Sequence, residues 1–245
     1  MRWLSLLLLS MFCFSCASDV DGRKGRLRIG VDPSWAPLNF EELQPYVTGY
    51  TEDCLLEIAR YSGLEFEKVN ANWDSLLDGM RTGAYDAVIT SLPPYEFNVA
   101  KYDFSADLIQ LGPVLITETA SKQMKLDDLS HELVGVIKND PAMLAVERYP
   151  LVIIRSYNTI PELLDAVASG ELAAAVLDRL WAASFVNDLY NGKLKIASEP
   201  MSDLGLHLIA PKGKYERLIR SFDKSIKQLK KKKFPELQKK WNLTG

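Results

Sequence analysis

The spacing of apolar and polar positions divides this chain into alternating strands and helices. Leu27-Arg28-Ile29-Gly30-Val31 has the two-residue alternation of a strand. Asp32-Pro33-Ser34-Trp35-Ala36-Pro37 ends it, because proline lacks an N–H and fixes φ. A helix is predicted from about Thr51 to Tyr61, stopped by Gly63, and a strand over Leu64 to Val69. Asn72 is placed to cap a helix running through Arg81, with Gly83 as its stop, and Asp86 to Ile89 reads as a buried strand. Further on, Thr159-Ile160-Pro161-Glu162 has capping-box spacing. It opens a helix through Ala168, with Gly170 as its stop and Ala174 to Leu177 as the next strand. Tyr215 to Leu229 places Leu218, Ile219, Phe222, Ile226 and Leu229 on one helical face, and a last helix runs to Trp241.

Two of these passages match without gaps. Leu76-Leu77-Asp78 to Ala87 and Leu163-Leu164-Asp165 to Ala174 are each a helix, a glycine stop, a short turn and a small-residue strand. A helix that returns tightly to a strand packs on a parallel sheet, so one such unit in each half predicts two similar α/β lobes. Convergence on glycine at a helix end is the competing explanation, which the shared Leu-Leu-Asp weakens.

The start of the chain has another character. Arg2 precedes an apolar run from Trp3 to Phe12, shorter than the ~20 residues of a membrane-spanning helix. Small residues follow, and residues 1–15 are expected to be a secretory signal peptide. Ser15-Cys16-Ala17-Ser18 resembles a bacterial lipoprotein signal, which makes Cys16 the expected lipidation site and residues 16–26 a polar tether. Cys13 and Phe14 depart from that pattern, and a plain cleaved signal is the alternative. The third cysteine, Cys54, lies in an apolar run and reads as a small buried hydrophobe.

The net charge of −3 argues against nucleic acid as a partner. His131 and His207 are far apart, with no metal-ligand spacing, phosphate loop or nucleophile elbow. No catalytic residue, metal or cofactor is therefore expected. The remaining chemistry lies where strands end, since open α/β sheets bind ligands at the carboxyl ends of their strands. Those residues are Asp32, Trp35, Trp73, Thr90, Ser91 and Asp178.

The chain resembles the bacterial extracellular solute-binding proteins of family 3, the amino-acid receptors of ABC importers, and in particular their divergent glutamine-receptor-like members. The likeness rests on the segments at Leu27–Pro37, Gly49-Tyr50, Asn72–Leu76, Tyr85–Ile89, Tyr102–Ser105, Leu126–Leu129, Val134–Val136 and a final Lys-Lys-Trp, in that order. The resemblance implies a two-lobed, type II periplasmic-binding-protein-like α/β fold. Each lobe would hold a mixed, mainly parallel sheet flanked by helices. Residues 27–110 and 204–245 would form lobe 1 and residues 111–203 lobe 2. Two strands would cross between them, near Leu108 to Gly112 and near Ser202 to Gly205. It further implies a monomer that is periplasmic and anchored to the membrane by lipid. That monomer would capture a small polar ligand, an amino acid or an amine-bearing solute, by hinge closure and deliver it to a permease.

In the family the positions of Trp35 and Trp73 sandwich the ligand side chain, and indole faces also suit a cation. Asp32 matches a position that meets a cationic group, although before Pro33 it could merely shape a turn. Thr90 and Ser91 match ligand-facing hydroxyls and backbone. Asp178 matches the carboxylate that takes the α-ammonium, although it could merely cap a helix from Leu180. Other positions depart from the family. Pro93 replaces a hydroxyl residue, and Asn98 stands where the family has the arginine that grips the ligand carboxylate. Asn139-Asp140-Pro141 replaces a Gly-Thr-Thr helix start, with Asp140 suited to an N-cap and Pro141 to a first helical residue. Either the ligand lacks a free carboxylate or another group, Lys138 being nearest, compensates. Competing readings are a dehydratase-type enzyme on the same fold, which the missing arginine disfavours, and a ligand-binding sensor or surface lipoprotein.

Overall fold

The computed structural model describes residues 26–243 except 36, 37 and 39. The expected signal, the tether through residue 25 and Cys16 lie outside the described residues. Two mixed sheets, each flanked by helices, make two lobes.

The first sheet contains β1 (Leu27–Val31), β2 (Phe66–Asn70), β3 (Ala87–Thr90), β4 (Tyr102–Phe104) and the late strand β11 (Gly205–Pro211), in the order β2-β1-β3-β11-β4. The short β5 (Ile109–Gln110) pairs with the start of β11. The second sheet contains β6 (Pro113–Glu118), β7 (Leu133–Ile137), β8 (Ile153–Tyr157), β9 (Ala174–Asp178) and β10 (Leu194–Ile196). Read from β8, its order is β8-β7-β9-β6-β10. The pairing senses agree as well. β1 is parallel to β2 and β3, as β7 is to β8 and β9. β3 then meets β11 antiparallel, as β9 meets β6. The two lobes are thus one topology used twice, and the matched Leu-Leu-Asp segments are the same unit in each.

Those units are α2 (Trp73–Thr82) leading to β3, and α5 (Ile160–Ala168) leading to β9. Asn72 caps α2, its side chain accepting from the Ser75 N–H at 3.0 Å, and Thr159 caps α5 through the Glu162 N–H at 3.3 Å. Gly83 ends α2 at φ 82°, a left-handed conformation that side chains disfavour. The Tyr85 hydroxyl donates to the Leu76 carbonyl at 2.6 Å and so ties the turn back to α2.

Strand alternation decides the cores. Leu27, Ile29 and Val31 of β1 pack with Leu206, Leu208 and Ala210 of β11 against α1 (Gln44–Ser62), α7 (Glu216–Leu229) and α8 (Lys233–Lys240). Val88 and Ile209 point to the opposite face, under α2. In the second lobe, Val114, Ile116, Ala175 and Leu177 pack with α5 and α6 (Arg179–Asp188). Leu115, Val134, Val136 and Val176 fill the other face, toward α4 (Met143–Val146).

Two elements begin elsewhere than predicted. α1 starts at Gln44, well before Thr51, because Pro45 sits in its first turn, where a missing N–H costs nothing. α4 starts at Met143, so Asp140 and Pro141 form the turn that leads into it and are not its cap and first residue.

The crossings lie at β5 to Gly112 and at Ser202 to β11. They are bonded to each other: Leu111 N donates to Leu204 O at 2.7 Å and Leu108 N to Leu206 O at 2.8 Å. A Cβ on Gly112 would fall 2.8 Å from the Ser202 carbonyl, so the close approach there admits only glycine.

Candidate ligand site between the lobes

Topology brings Asp32, Thr90, Ser91, Asp140 and Asp178 to the carboxyl ends of strands in the two sheets. In lobe 1, Asp32 follows β1, Thr90 ends β3 with Ser91 after it, and Val31 is in register with Ile89. In lobe 2, Asp178 ends β9 opposite Pro113, the first residue past the crossing, and Asp140 lies just beyond β7. Both edges therefore abut the crossings. A crevice lies beside the crossings, lined by Leu38 and Phe40 after β1, Leu111 and Leu204 on the crossings, and Asp178 and Trp181 of lobe 2; of the expected residues only Asp178 lines it, while Asp32, Thr90, Ser91 and Asp140 lie outside its wall.

Asp32 is 95% buried. Its Oδ1 accepts from the Ser34 N–H at 2.9 Å and from the Ser34 hydroxyl at 2.7 Å, so it does shape the turn before α1. Its Oδ2 is buried with no hydrogen-bond partner. A buried carboxylate oxygen left unpaired is costly, and in a native site it usually awaits a donor.

Asp178 occupies the N-cap position of α6, but its side chain makes no capping hydrogen bond. Its pKa is pushed up to about 6, first by burial and second by the charge of Asp140. Asp140 is partly buried, and its Oδ1 accepts from the Ala142 N–H at 2.7 Å.

The aromatic pair is divided. Trp73 is the first residue of α2, half-buried against that helix's core. Trp35 is 3% exposed, packed into the lobe 1 core, with its indole N–H donating to Thr48 Oγ1 at 2.9 Å. Its φ of 59° is left-handed, a strain of about 1–2 kcal/mol that surrounding structure must hold.

Thr90 and Ser91 are both buried, and the Thr90 hydroxyl accepts from the Leu92 N–H at 3.2 Å. Asn98 is buried on α3 (Glu96–Val99), and its side-chain amide donates to the Pro93 carbonyl at 2.9 Å. It closes its own loop. Asn139 is exposed at φ 63°, and Lys138 is exposed with no ion pair among the described residues.

Sequence reasoning missed two residues. His207, opposite Thr90, faces the Asp107 carboxylate with Nδ1 at 3.1 Å and the Leu92 carbonyl with Nε2 at 2.7 Å. It fixes the loop that carries Ser91. Its partner lies a hundred positions away, so no local motif signals the contact. Trp181, three residues past Asp178, supplies an aromatic wall of the crevice, and its place on α6 was the available clue.

Among the described residues no cluster of three or more His, Cys, Asp or Glu side chains could hold a metal ion. No helix there is long and apolar enough to cross a membrane.

Comparison with known proteins agrees with this architecture. The L-cystine-binding protein TcyJ of Escherichia coli (strain K12) is 24% identical over 222 residues, covering 89% of this chain and 83% of that protein. The arginine-binding extracellular protein ArtP of Bacillus subtilis (strain 168) is 22% identical over 253 residues, covering 98% and 97%. The fold matches the L-cystine solute receptor of Neisseria gonorrhoeae, solved in an unliganded open conformation, with a TM-score of 0.68 and 19% identity over 91% of this chain and 95% of that one. The model of the bacterial extracellular solute-binding proteins, family 3, matches residues 27–244, and the chain belongs to that family.

Proposed function

We propose that this protein is the extracytoplasmic receptor of an ABC importer, capturing a small amine-bearing solute between its lobes and presenting it to the permease. The observation that supports this is a topology used twice, which puts Asp32, Thr90 and Ser91 at the strand ends of one sheet and Asp140 and Asp178 at those of the other, with crossings bonded to each other and a crevice beside them that Asp178 lines. A ligand touching both edges lowers the energy of the closed form more than the open one, which is the whole of the work required.

In this reading Asp178 and Asp32 receive the ligand's cationic groups, and the hydroxyls of Thr90 and Ser91 complete its polar contacts. Trp73 and Trp181 flank its stem. Trp35 supports the turn that holds Asp32, while Asn98 and Asn139 shape loops at the rim. Nothing here requires bond making or breaking. The protein works as a monomer in the periplasm, tethered through acylated Cys16, with the exposed Lys230, Lys231 and Lys232 available to anionic lipid.

A thermal-shift screen against amino acids, amines and short peptides tests the reading. A true ligand at about 100 times its dissociation constant adds ~2.7 kcal/mol of stability. A protein that no small solute stabilises, and whose scattering envelope never contracts, is not a receptor of this kind.

A further inference from the structure

We infer that the solute is an organic cation, an amine or guanidine on an apolar stem, with no carboxylate. This deepens the receptor reading and rests on it.

The first argument is a count of hydrogen-bond donors. A bound carboxylate needs N–H groups or cations aimed at it. In lobe 2 most donors of the turn after β7 are already used: Asp140 N is bonded to Ile137 O, Ala142 N to the Asp140 side chain, Met143 N to Asp140 O and Leu144 N to Pro141 O. Pro141 has none to give. In lobe 1, Leu92 N is taken by the Thr90 hydroxyl and Tyr95 N by Pro93 O, and Pro93 and Pro94 have no N–H. The Asn98 amide is spent on Pro93 O. Lys138 is exposed, Arg179 follows Asp178 at the start of α6, and among the described residues neither cation forms an ion pair with Asp140 or Asp178.

The second argument is the surplus of acceptors. Asp32 Oδ2 is buried and unpaired, and Asp178 ends its strand with a carboxylate that makes no capping hydrogen bond to α6. Asp140 adds a second negative charge near Asp178. An α-carboxylate brought here would meet like charges and few donors, whereas a cation would relieve both edges at once.

The third argument is the wall. Around Asp178 the crevice is made of Leu38, Phe40, Leu111, Trp181 and Leu204. That lining suits methylene groups and aromatic stacking, with the charge confined to the ends.

Calorimetric titration of the protein at pH 7.5 with matched pairs tests this: arginine against agmatine, and lysine against cadaverine. Within each pair only the carboxylate differs. The decarboxylated member is expected to bind at least about tenfold tighter. Asp32→Asn keeps the acceptor for Ser34, and Asp178→Asn keeps the side-chain shape. Each is expected to weaken binding of the amine about tenfold or more while thermal unfolding stays cooperative. A free amino acid that binds as tightly as its amine, or more tightly, overturns the inference and leaves the receptor reading standing. Failure of amines, amino acids and every other solute in the screen overturns both.

Discussion

Asp178 and Asp140, at the ends of neighbouring strands β9 and β7, act on each other as like charges, and no cation is among the causes that shift Asp178. The unliganded protein therefore carries an electrostatic cost at the place where its ligand is proposed to bind. Folding alone does not favour such an arrangement, and sites that bind charged groups commonly keep it at the expense of stability.

Asp178→Asn should stabilise the free protein. The Asp178 carboxyl is raised to about 6 from an ordinary value of 3.8, so its ionised form is disfavoured in the folded state. The cost is absent below about pH 4, grows as pH rises through about 6, and then levels at roughly 1–3 kcal/mol. Urea unfolding of variant and parent should diverge between pH 4 and 7 and run in parallel above. Equal stability at pH 7.5 would contradict this account.

The same group sets a pH dependence for capture. A cationic ligand needs Asp178 ionised, and amines remain protonated throughout this range. Affinity should be flat from pH 8 to about 6.5 and fall by up to about tenfold per unit below 6. In Asp178→Asn the residual affinity should lose this slope.

His207 should matter more than its distance from any charged ligand group suggests. It is 2% exposed and serves both the Asp107 carboxylate and the Leu92 carbonyl. His207→Ala removes the ring that bridges them and leaves at least one of the two acceptors without its donor, a loss of about 1–3 kcal/mol. Chemical denaturation measures that loss. Hydrogen exchange should show the Ser91–Leu92 segment opening more readily than in the parent, a local effect that a general weakening of the core would not confine there.

Cys54 should be inert in the native protein. Burial is the main cause that pushes its thiol up to about 12, so the reactive thiolate is scarce at neutral pH. With Cys13 and Cys16 replaced by serine, labelling by a thiol reagent should track global unfolding. Rapid labelling of the folded protein would mean that the packing around α1 opens locally.

The fold was largely readable because local signals agreed with tertiary need. Asn72, Gly83, Thr159 and Gly170 mark boundaries by backbone chemistry that neighbours do not alter, and the paired Leu-Leu-Asp segments report a repeated topology. The start of α1 was less readable, since Gly49 resembles an opening and Pro45 a break. Which way a side chain turns was not readable at all. Nothing in Asp32–Pro37 says that the Trp35 indole turns inward to Thr48, because that depends on where α1 passes. The contacts of His207 likewise join residues that meet only once β11 has returned from the second lobe.

The bonds of Leu111 to Leu204 and of Leu108 to Leu206 make the two crossing strands a single ribbon. Lobes sharing one such spine can swing about it but cannot slide along it. The span of a guest measured parallel to that line is then set by the distance between fixed edges, while its thickness across the line is accommodated by the angle of swing. Selection among solutes should accordingly be strict for chain length and lenient for bulk.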